Sequence, residues 1–184
     1  LFKSIIVVSN ITIKNIRNKS IRVIKGGKER HQSSLKALNF IKNKRFKNVF
    51  IHDAARPNFT IKLLKKLNSN LKKNKAVVPY VTTDNSTKYR IENKIQNLNR
   101  ENLLFTQTPQ CFDFKTLYSL SESNNIKVTD EASLFLNNNK KVKFIKGEQE
   151  NFKITTKYDL KKINTKNFYG IGFDIHRLIK NRKL

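Results

Sequence analysis

Residues 49–57 contain the side chains best suited to carry out chemistry. The apolar run at 49–51 is typical of a buried strand, and Asp53 and Arg56 follow it closely. Ligands of open α/β sheets bind beyond the carboxyl ends of the strands. There, Asp53 can hold Mg²⁺ against phosphate oxygens, and the forked guanidinium of Arg56 can bind a phosphate. The pattern predicts phosphate chemistry, although a turn capped by Asp53 beside an exposed Arg56 fits it as well.

Other segments could contribute to a binding site. Gly26 and Gly27 precede a helix start with Ser33, so that backbone amides and a hydroxyl could approach a ligand; an ordinary glycine turn has the same pattern. Thr129 precedes early acidic residues and predicts a capped helix start. Lys153 lies between apolar neighbours, from where it either extends to solvent or enters a polar cleft.

Strand and helix patterns alternate along the chain. Short apolar runs predict strands at residues 4–8, 22–24, 49–51, 76–79, 142–145 and 152–154. Helical spacing of apolar residues and helix-start signals predict helices at 30–41, 61–71, 115–121, 130–136 and 159–163. This alternation favours an α/β fold with a mostly parallel sheet and helices on both faces. The polar segment 87–98 predicts a hairpin that projects from the core.

Composition limits the class of protein. A chain of 184 residues fits one main domain, and its apolar runs are far shorter than the ~20 residues of a membrane span. The single Cys111 excludes an internal disulfide and is compatible with the cytoplasm. The formal charge of +26 comes mostly from dispersed Lys, which favours a solvated surface over a specific nucleic-acid partner. Because the chain starts at Leu1 and contains no Met, we expect it to be a fragment of a longer protein.

Five segments, taken in order, resemble the 2-C-methyl-D-erythritol 4-phosphate cytidylyltransferase family. They lie at residues 26–33, 51–57, 107–112, 129–133 and 151–156. The resemblance covers residues 1–165 and implies cytidylyl transfer from CTP to methylerythritol phosphate, with release of pyrophosphate, in the non-mevalonate route to isoprenoids. It also implies a Rossmann-like nucleotidyltransferase sheet with a protruding β-arm that forms a homodimer. The hairpin at 87–98 would be that arm.

The resemblance also implies roles for individual residues. Gly27 and Ser33 would contact the cytosine, and Arg30 would support their loop. Asp53 would bind Mg²⁺ near the α-phosphate and act in catalysis together with Lys153 and Arg100. The substrate would be bound by several of these and other side chains, namely Arg56, Arg100, Thr108, Thr129 and Lys153. The Ala-Ala-Gly-x-Gly-x-Arg loop of the family is not in this sequence, so we expect the fragment alone to be a poor enzyme.

Residues 169–178 resemble the start of a 2-C-methyl-D-erythritol 2,4-cyclodiphosphate synthase. There, Asp174 and His176 would be ligands of Zn²⁺ or Mn²⁺ in an incomplete site, on the same face of a strand. The resemblance implies a cytidylyltransferase domain at 1–165, and a linker with the first strand of a second domain at 166–184. Two alternatives stay open: a cytidylyltransferase for another polyol phosphate such as ribitol phosphate, and a basic nucleic-acid-binding protein.

Overall fold

A mixed β-sheet forms the centre of the first of two units, which span Leu1–Lys153 and Ile154–Leu184. The computed structural model describes residues 2–14, 16, 18, 20–123 and 128–164. The strands are, in chain order, β1 (Ile5–Val8), β2 (Ile21–Ile24), β3 (Asn48–Ile51), β4 (Ala76–Val81), β5 (Thr87–Ile91), β6 (Lys94–Leu98), β7 (Phe105–Thr106), β8 (Gln110–Asp113) and β9 (Lys143–Lys146). The central sheet has the order β3-β8-β4-β7, with β9 also paired to β4.

Helices cover both faces of this sheet. They are α1 (Arg30–Ile41), α2 (Ile61–Leu71), α3 (Phe114–Ser123) and α4 (Glu131–Asn137). Side chains alternate along β4, so Val78 packs with α1, α3 and α4, whereas Val77 packs with the apolar stripe of α2. On β8, Phe112 and Cys111 divide between the two cores in the same way. The predicted α/β architecture with helices on both faces is therefore confirmed.

The direction of the strands differs from the mostly parallel sheet that we predicted. β4 is parallel to β9, but β8 is antiparallel to both β3 and β4, and β7 is antiparallel to β4. The sequence predicts no strand at β7 or β8, because β7 has only two residues and β8 follows directly after Pro109. β1 and β2 form a separate parallel pair.

The hairpin predicted at residues 87–98 is confirmed. β5 and β6 form their own antiparallel sheet, with Thr87 opposite Leu98 and Ile91 opposite Lys94. Every residue of β6 is exposed, including the apolar Ile95 and Leu98. Within the described residues, these strands are therefore stabilised by their own ladder and contribute little to the core.

Other predictions are corrected at the ends of elements. The segment 152–154 is not a strand, and α4 is capped by Asp130, whose carboxylate accepts the Ser133 N–H at 3.0 Å, instead of by Thr129. In the second unit, α5 (Lys157–Asn164) extends the helical turn predicted at 159–163. The backbone amides of Thr155 and Thr156, together with their hydroxyls, donate to Asp159 and lower its pKa to about 2. No helix in the described part of the chain is long and apolar enough to cross a membrane.

Phe112 anchors the core between β8 and the helices of one face, and this position yields a stability prediction. The side chain is completely buried and stacks on Phe135 with ring centroids 5.2 Å apart. We expect Phe112→Ala to lower the free energy of unfolding by about 3–5 kcal/mol, because it leaves a cavity. Phe105 on β7 is 47% exposed and serves as the control, with an expected change of about 0.5 kcal/mol or less for Phe105→Ala. Urea unfolding of both variants measures the difference, and equal losses would contradict this account of the core.

Candidate active site

The register between β3 and β8 brings Asp53 and Thr108 together. Ile51 lies opposite Gln110 at the end of this antiparallel ladder. Beyond this pair, Asp53 lies two residues after Ile51 and Thr108 two residues before Gln110, and the Asp53 N–H donates to the Thr108 hydroxyl oxygen at 3.0 Å. The predicted strand-end carboxylate is thus held by a hydroxyl from the segment that precedes β8.

Two cations flank the Asp53 carboxylate. Arg30 Nε of α1 lies 3.4 Å from Oδ1, and Lys153 Nζ lies 3.1 Å from Oδ2. Burial of Asp53 opposes its ionisation, but the charge of Arg30 and the hydrogen bond from Lys153 outweigh burial and hold the pKa of the carboxyl below its ordinary value. The site therefore presents an ionised carboxylate with a cation at each oxygen.

Glu131, at the start of α4, is the second carboxylate of this cluster. Its side chain is only 2% exposed, and its two oxygens each lie 2.8 Å from a terminal nitrogen of Arg30. The Ser34 hydroxyl donates to the same carboxylate at 2.6 Å. Burial alone would lower the pKa of Arg30, yet the paired carboxylates raise it above the ordinary value. Glu131 therefore ties α4 to α1 through an ion pair with Arg30, in which Nη1 donates a hydrogen bond to Oε1 and Nη2 makes a second charge contact with Oε2.

His52 extends the network behind Asp53. The Arg56 carbonyl can only accept a hydrogen bond, so His52 Nε2, 3.0 Å away, carries the proton. His52 Nδ1 then accepts from the Thr108 hydroxyl at 3.2 Å. Burial lowers the pKa of His52 below its usual value. The neutral imidazole thus connects the turn after β3 to Thr108 and, through its hydroxyl, to the backbone of Asp53.

A buried amide network holds the loop that carries Lys153. Asn151 is fully buried. Its side-chain amide donates to the Thr108 carbonyl at 2.9 Å, and its backbone carbonyl accepts from the Arg56 guanidinium at 2.9 Å. The Gln107 side chain donates to the Glu148 carbonyl at 2.7 Å and accepts the Glu148 N–H at 3.1 Å. Together these bonds fix the backbone just ahead of Lys153, which sets where its ammonium can reach.

The glycine turn lies at the start of α1. The Gly27 N–H donates to the Ser33 hydroxyl oxygen at 3.0 Å, and this hydroxyl donates to the Glu29 carbonyl at 3.2 Å. A Cβ on Gly27 would lie 2.4 Å from Cβ of Gln32, so only glycine fits there. A cavity of about 770 Å³ adjoins this turn, and its lining includes Gly27 and Lys28 but not Asp53.

The structure joins some of the predicted site residues and separates others. Arg30, Asp53, Thr108 and Lys153 form one cluster, and Arg56 borders it through Asn151. Arg100 is exposed instead, and its guanidinium donates to the Asp84 carbonyl. The Thr129 hydroxyl lies 3.5 Å from that of Ser133 on α4. Asp174 and His176 lie outside the described residues.

Three buried polar residues of the site were missed by the sequence analysis, namely Gln107, Glu131 and Asn151. The position of Glu131 is typical of an acidic residue in the first turn of a helix, and the residues next to it in sequence do not indicate that it is buried. Gln107 and Asn151 were included only as members of the segments that resemble the cytidylyltransferase family. Long-range contacts define all three, so no local signal could have identified them.

A metal ion at this site would need donor atoms from a bound substrate in addition to those of the protein. Among the described residues no group of three or more His, Cys, Asp or Glu side chains could hold a metal ion. Mg²⁺ is commonly bound by one or two carboxylates together with substrate phosphates, so the single Asp53 carboxylate fits this mode. Phosphate oxygens would at the same time find Lys153 next to that carboxylate.

The layered α/β sheet with helices on both faces is typical of the nucleotidyltransferase fold, and the ionised Asp53 carboxylate lies just beyond one of its strands. Solved structures agree. The Francisella tularensis 2-C-methyl-D-erythritol 4-phosphate cytidylyltransferase has a TM-score of 0.79 and 32% identity, covering 89% of this chain and 80% of its own. The Anaerococcus prevotii 4-diphosphocytidyl-2C-methyl-D-erythritol synthase has a TM-score of 0.77 and 30% identity, covering 88% and 77%. The predicted nucleotidyltransferase fold is confirmed.

The profile of the 2-C-methyl-D-erythritol 4-phosphate cytidylyltransferase (IspD) family matches residues 3–166, and this chain belongs to that family. The Thermosipho melanesiensis enzyme of that name is 36% identical over 164 residues, covering 86% of this chain and 72% of its own. The bifunctional enzyme IspD/IspF of Pelagibacter ubique is 51% identical over 172 residues, covering 94% and 46%. The chain spans about half the length of the bifunctional relatives it matches.

The lowered pKa of His52 gives a prediction about pH and stability. Because the folded state favours the neutral ring, the unfolded chain binds the proton first, and His52 stabilises the fold less as pH falls below about 6.5. We expect His52→Gln to flatten this part of the profile, since a glutamine can donate to the Arg56 carbonyl and accept from Thr108 without titrating. Urea unfolding between pH 7 and pH 5 measures the effect, with His31→Gln as the control. A profile that is flattened only by the His31 change would show that His52 is not responsible.

Proposed function

We propose that the natural protein containing this sequence transfers the cytidylyl group of CTP to 2-C-methyl-D-erythritol 4-phosphate. A phosphate oxygen of the acceptor attacks the α-phosphorus of CTP, the bond from that phosphorus to the bridging oxygen breaks, and pyrophosphate leaves. The products are CDP-methylerythritol and pyrophosphate. The observation that carries this proposal is the ionised Asp53 between Arg30 and Lys153 in a chain of the cytidylyltransferase family.

The residues around Asp53 suit a reaction that depends on positioning and on stabilising charge. We assign Asp53 to Mg²⁺; when bound, the ion would neutralise charge on the α-phosphate region. The Lys153 ammonium is half-exposed and has one carboxylate partner in the described structure, so it can turn towards the phosphates of the substrate. Thr108 holds the Asp53 backbone and, with Arg56, borders the space we assign to the acceptor phosphate.

The glycine turn would recognise the base. Gly27 permits a close backbone approach, and Ser33 holds the turn by accepting its N–H. Arg30 follows this turn on α1 and contacts Asp53, so it links the proposed base site to the proposed phosphate site. Thr129 lies two residues before Glu131, the partner of Arg30, and we assign it to the same pocket.

We further propose a homodimer formed through the β5–β6 hairpin. Its support is the exposed apolar side chains that share one face of the hairpin, namely Tyr89, Ile91 and Leu98. Arg100 follows the hairpin and is exposed, so it is available to a neighbouring subunit. The reaction needs no membrane or nucleic acid, and we assign it to the cytoplasm.

A second catalytic domain is also part of the proposal. We assign residues 1–165 to the cytidylyltransferase and 166–184 to a linker and the start of a cyclodiphosphate synthase, with Asp174 and His176 as ligands of Zn²⁺ or Mn²⁺. The support is the Asp-x-His sequence and the bifunctional relatives, which are about twice as long as the matched region.

The substrate proposal is tested by pyrophosphate release from CTP and Mg²⁺. We expect turnover with methylerythritol phosphate to exceed that with ribitol phosphate, and mass spectrometry to identify CDP-methylerythritol. The assay uses the natural protein that contains this sequence. Equal or faster turnover of ribitol phosphate would instead assign the protein to another polyol phosphate.

The dimer proposal is tested by mixing two inactive variants. We expect Asp53→Asn to reduce turnover by about 10²-fold or more, because it removes a charged group at the reacting phosphates. Arg100→Ala should also be inactive. If Arg100 completes the partner's site, each hybrid dimer has one intact site, and mixing restores part of the activity.

Controls make this experiment decisive. Subunit exchange is first verified with labelled protein, so that a lack of recovery has one meaning. If subunits exchange but turnover is not restored, Arg100 acts in the active site of its own chain. Full activity of Arg100→Ala alone would show that this side chain is an exposed charge with no catalytic role. Arg90→Ala, an exposed change within the hairpin, controls for the loss of a guanidinium in this region.

A further inference from the structure

Arg30 is bound very unequally by its two carboxylates. Glu131 holds both terminal nitrogens at 2.8 Å, whereas Asp53 lies 3.4 Å from Nε alone. The Glu131 side chain is 2% exposed and that of Asp53 is 19% exposed. The stronger and better buried contact of Arg30 is therefore with Glu131, which belongs to α4 and is remote from Asp53 in sequence.

Lys153 is held much more loosely. Its side chain is 45% exposed, and among the described residues its ion-pair contact is with Asp53 Oδ2 at 3.1 Å. An exposed lysine pair of this kind contributes little free energy and is easily exchanged. The two cations that flank Asp53 therefore differ in how readily they can leave it.

We propose that Glu131 is a positioning residue that anchors Arg30, so that Lys153 is the cation that moves onto an entering phosphate anion. This inference rests on the proposed function, because it assumes that phosphates bind beside Asp53. Arg30 then stays beside Asp53 and keeps the carboxylate in place. Lys153 exchanges its carboxylate partner for a phosphate oxygen.

The physical reason is the cost of a buried charge without a partner. If Arg30 turned towards an anion, the Glu131 carboxylate would stay buried, and the Ser34 hydroxyl would be its one remaining donor among the described residues. Breaking such a pair from one side is strongly unfavourable. If Lys153 moves instead, Asp53 keeps Arg30 and its own partial exposure to solvent. Glu131 thus decides which of two nearby cations meets the ligand.

The test is the affinity for pyrophosphate, measured by isothermal titration calorimetry on the natural protein and on Glu131→Gln. Glutamine keeps the size of the side chain but releases Arg30, which can then reach the anion. We expect pyrophosphate to bind at least about 10-fold more tightly, which is the lower end of the scale of one charge-assisted hydrogen bond. A residue with only a structural role would leave the affinity unchanged or weaken it, and either result overturns the inference.

Two controls separate the release of Arg30 from a change in net charge. Glu122→Gln removes an exposed carboxylate and is expected to leave the affinity within about twofold. In the background of Arg30→Gln, the change Glu131→Gln should no longer tighten binding, because no guanidinium is left to release. Tightening that persists in the double variant would show a simple charge effect and contradict the proposal.

A third variant covers a failure of Glu131→Gln to fold, which circular dichroism detects. Glu131→Asp keeps the charge but withdraws the carboxylate from Arg30, so tighter pyrophosphate binding is again expected, and unchanged or weaker binding contradicts the inference. Absence of pyrophosphate binding by the natural protein would overturn the premise of a phosphate site here. An incorrect assignment of the acceptor would be detected separately. It would alter the result of the turnover assay, while the changes in pyrophosphate affinity of the Glu131 variants would persist.

Discussion

The antiparallel register of β8 between β3 and β4 is the constraint on which the rest of the structure depends. It pairs Ile51 with Gln110, and so brings Asp53 to the Thr108 hydroxyl just beyond the ladder. The same strand sends Phe112 into one core and Cys111 into the other. A slip of one residue would exchange these faces and carry Thr108 away from Asp53. Packing and the candidate active site are therefore set by one pairing.

Buried polar groups around this register restrict the motion of the site. Gln107 satisfies backbone groups of the loop before Lys153, Asn151 in that loop donates to the Thr108 carbonyl, and Glu131 holds Arg30. Groups of this kind are costly to bury without partners, so each one selects a single arrangement of its neighbours. The contacts of the described residues therefore hold Arg30 more firmly than Lys153, which is half-exposed and pairs with Asp53.

Local patterns predicted the elements better than their arrangement. The helices α1 and α2 and the hairpin β5–β6 lie where apolar spacing and turn residues placed them. The mixed strand directions were not predicted, because β7 has only two residues and β8 directly follows Pro109, so neither strand shows a pattern of alternation. Their stability comes from ladders to distant strands, and a ladder leaves little trace in its own short segment.

The sequence by itself determined that Asp53 and Arg56 follow an apolar strand, that a glycine turn precedes α1, and that these segments resemble those of a cytidylyltransferase. It also indicated one α/β layer arrangement with helices on both faces. Only the tertiary structure decided which charges meet. Arg30 and Glu131 are 101 positions apart, and whether they form an ion pair or two solvated charges depends on how α1 and α4 pack. Burial and distance set the strength of a charge interaction, and both are properties of the folded chain.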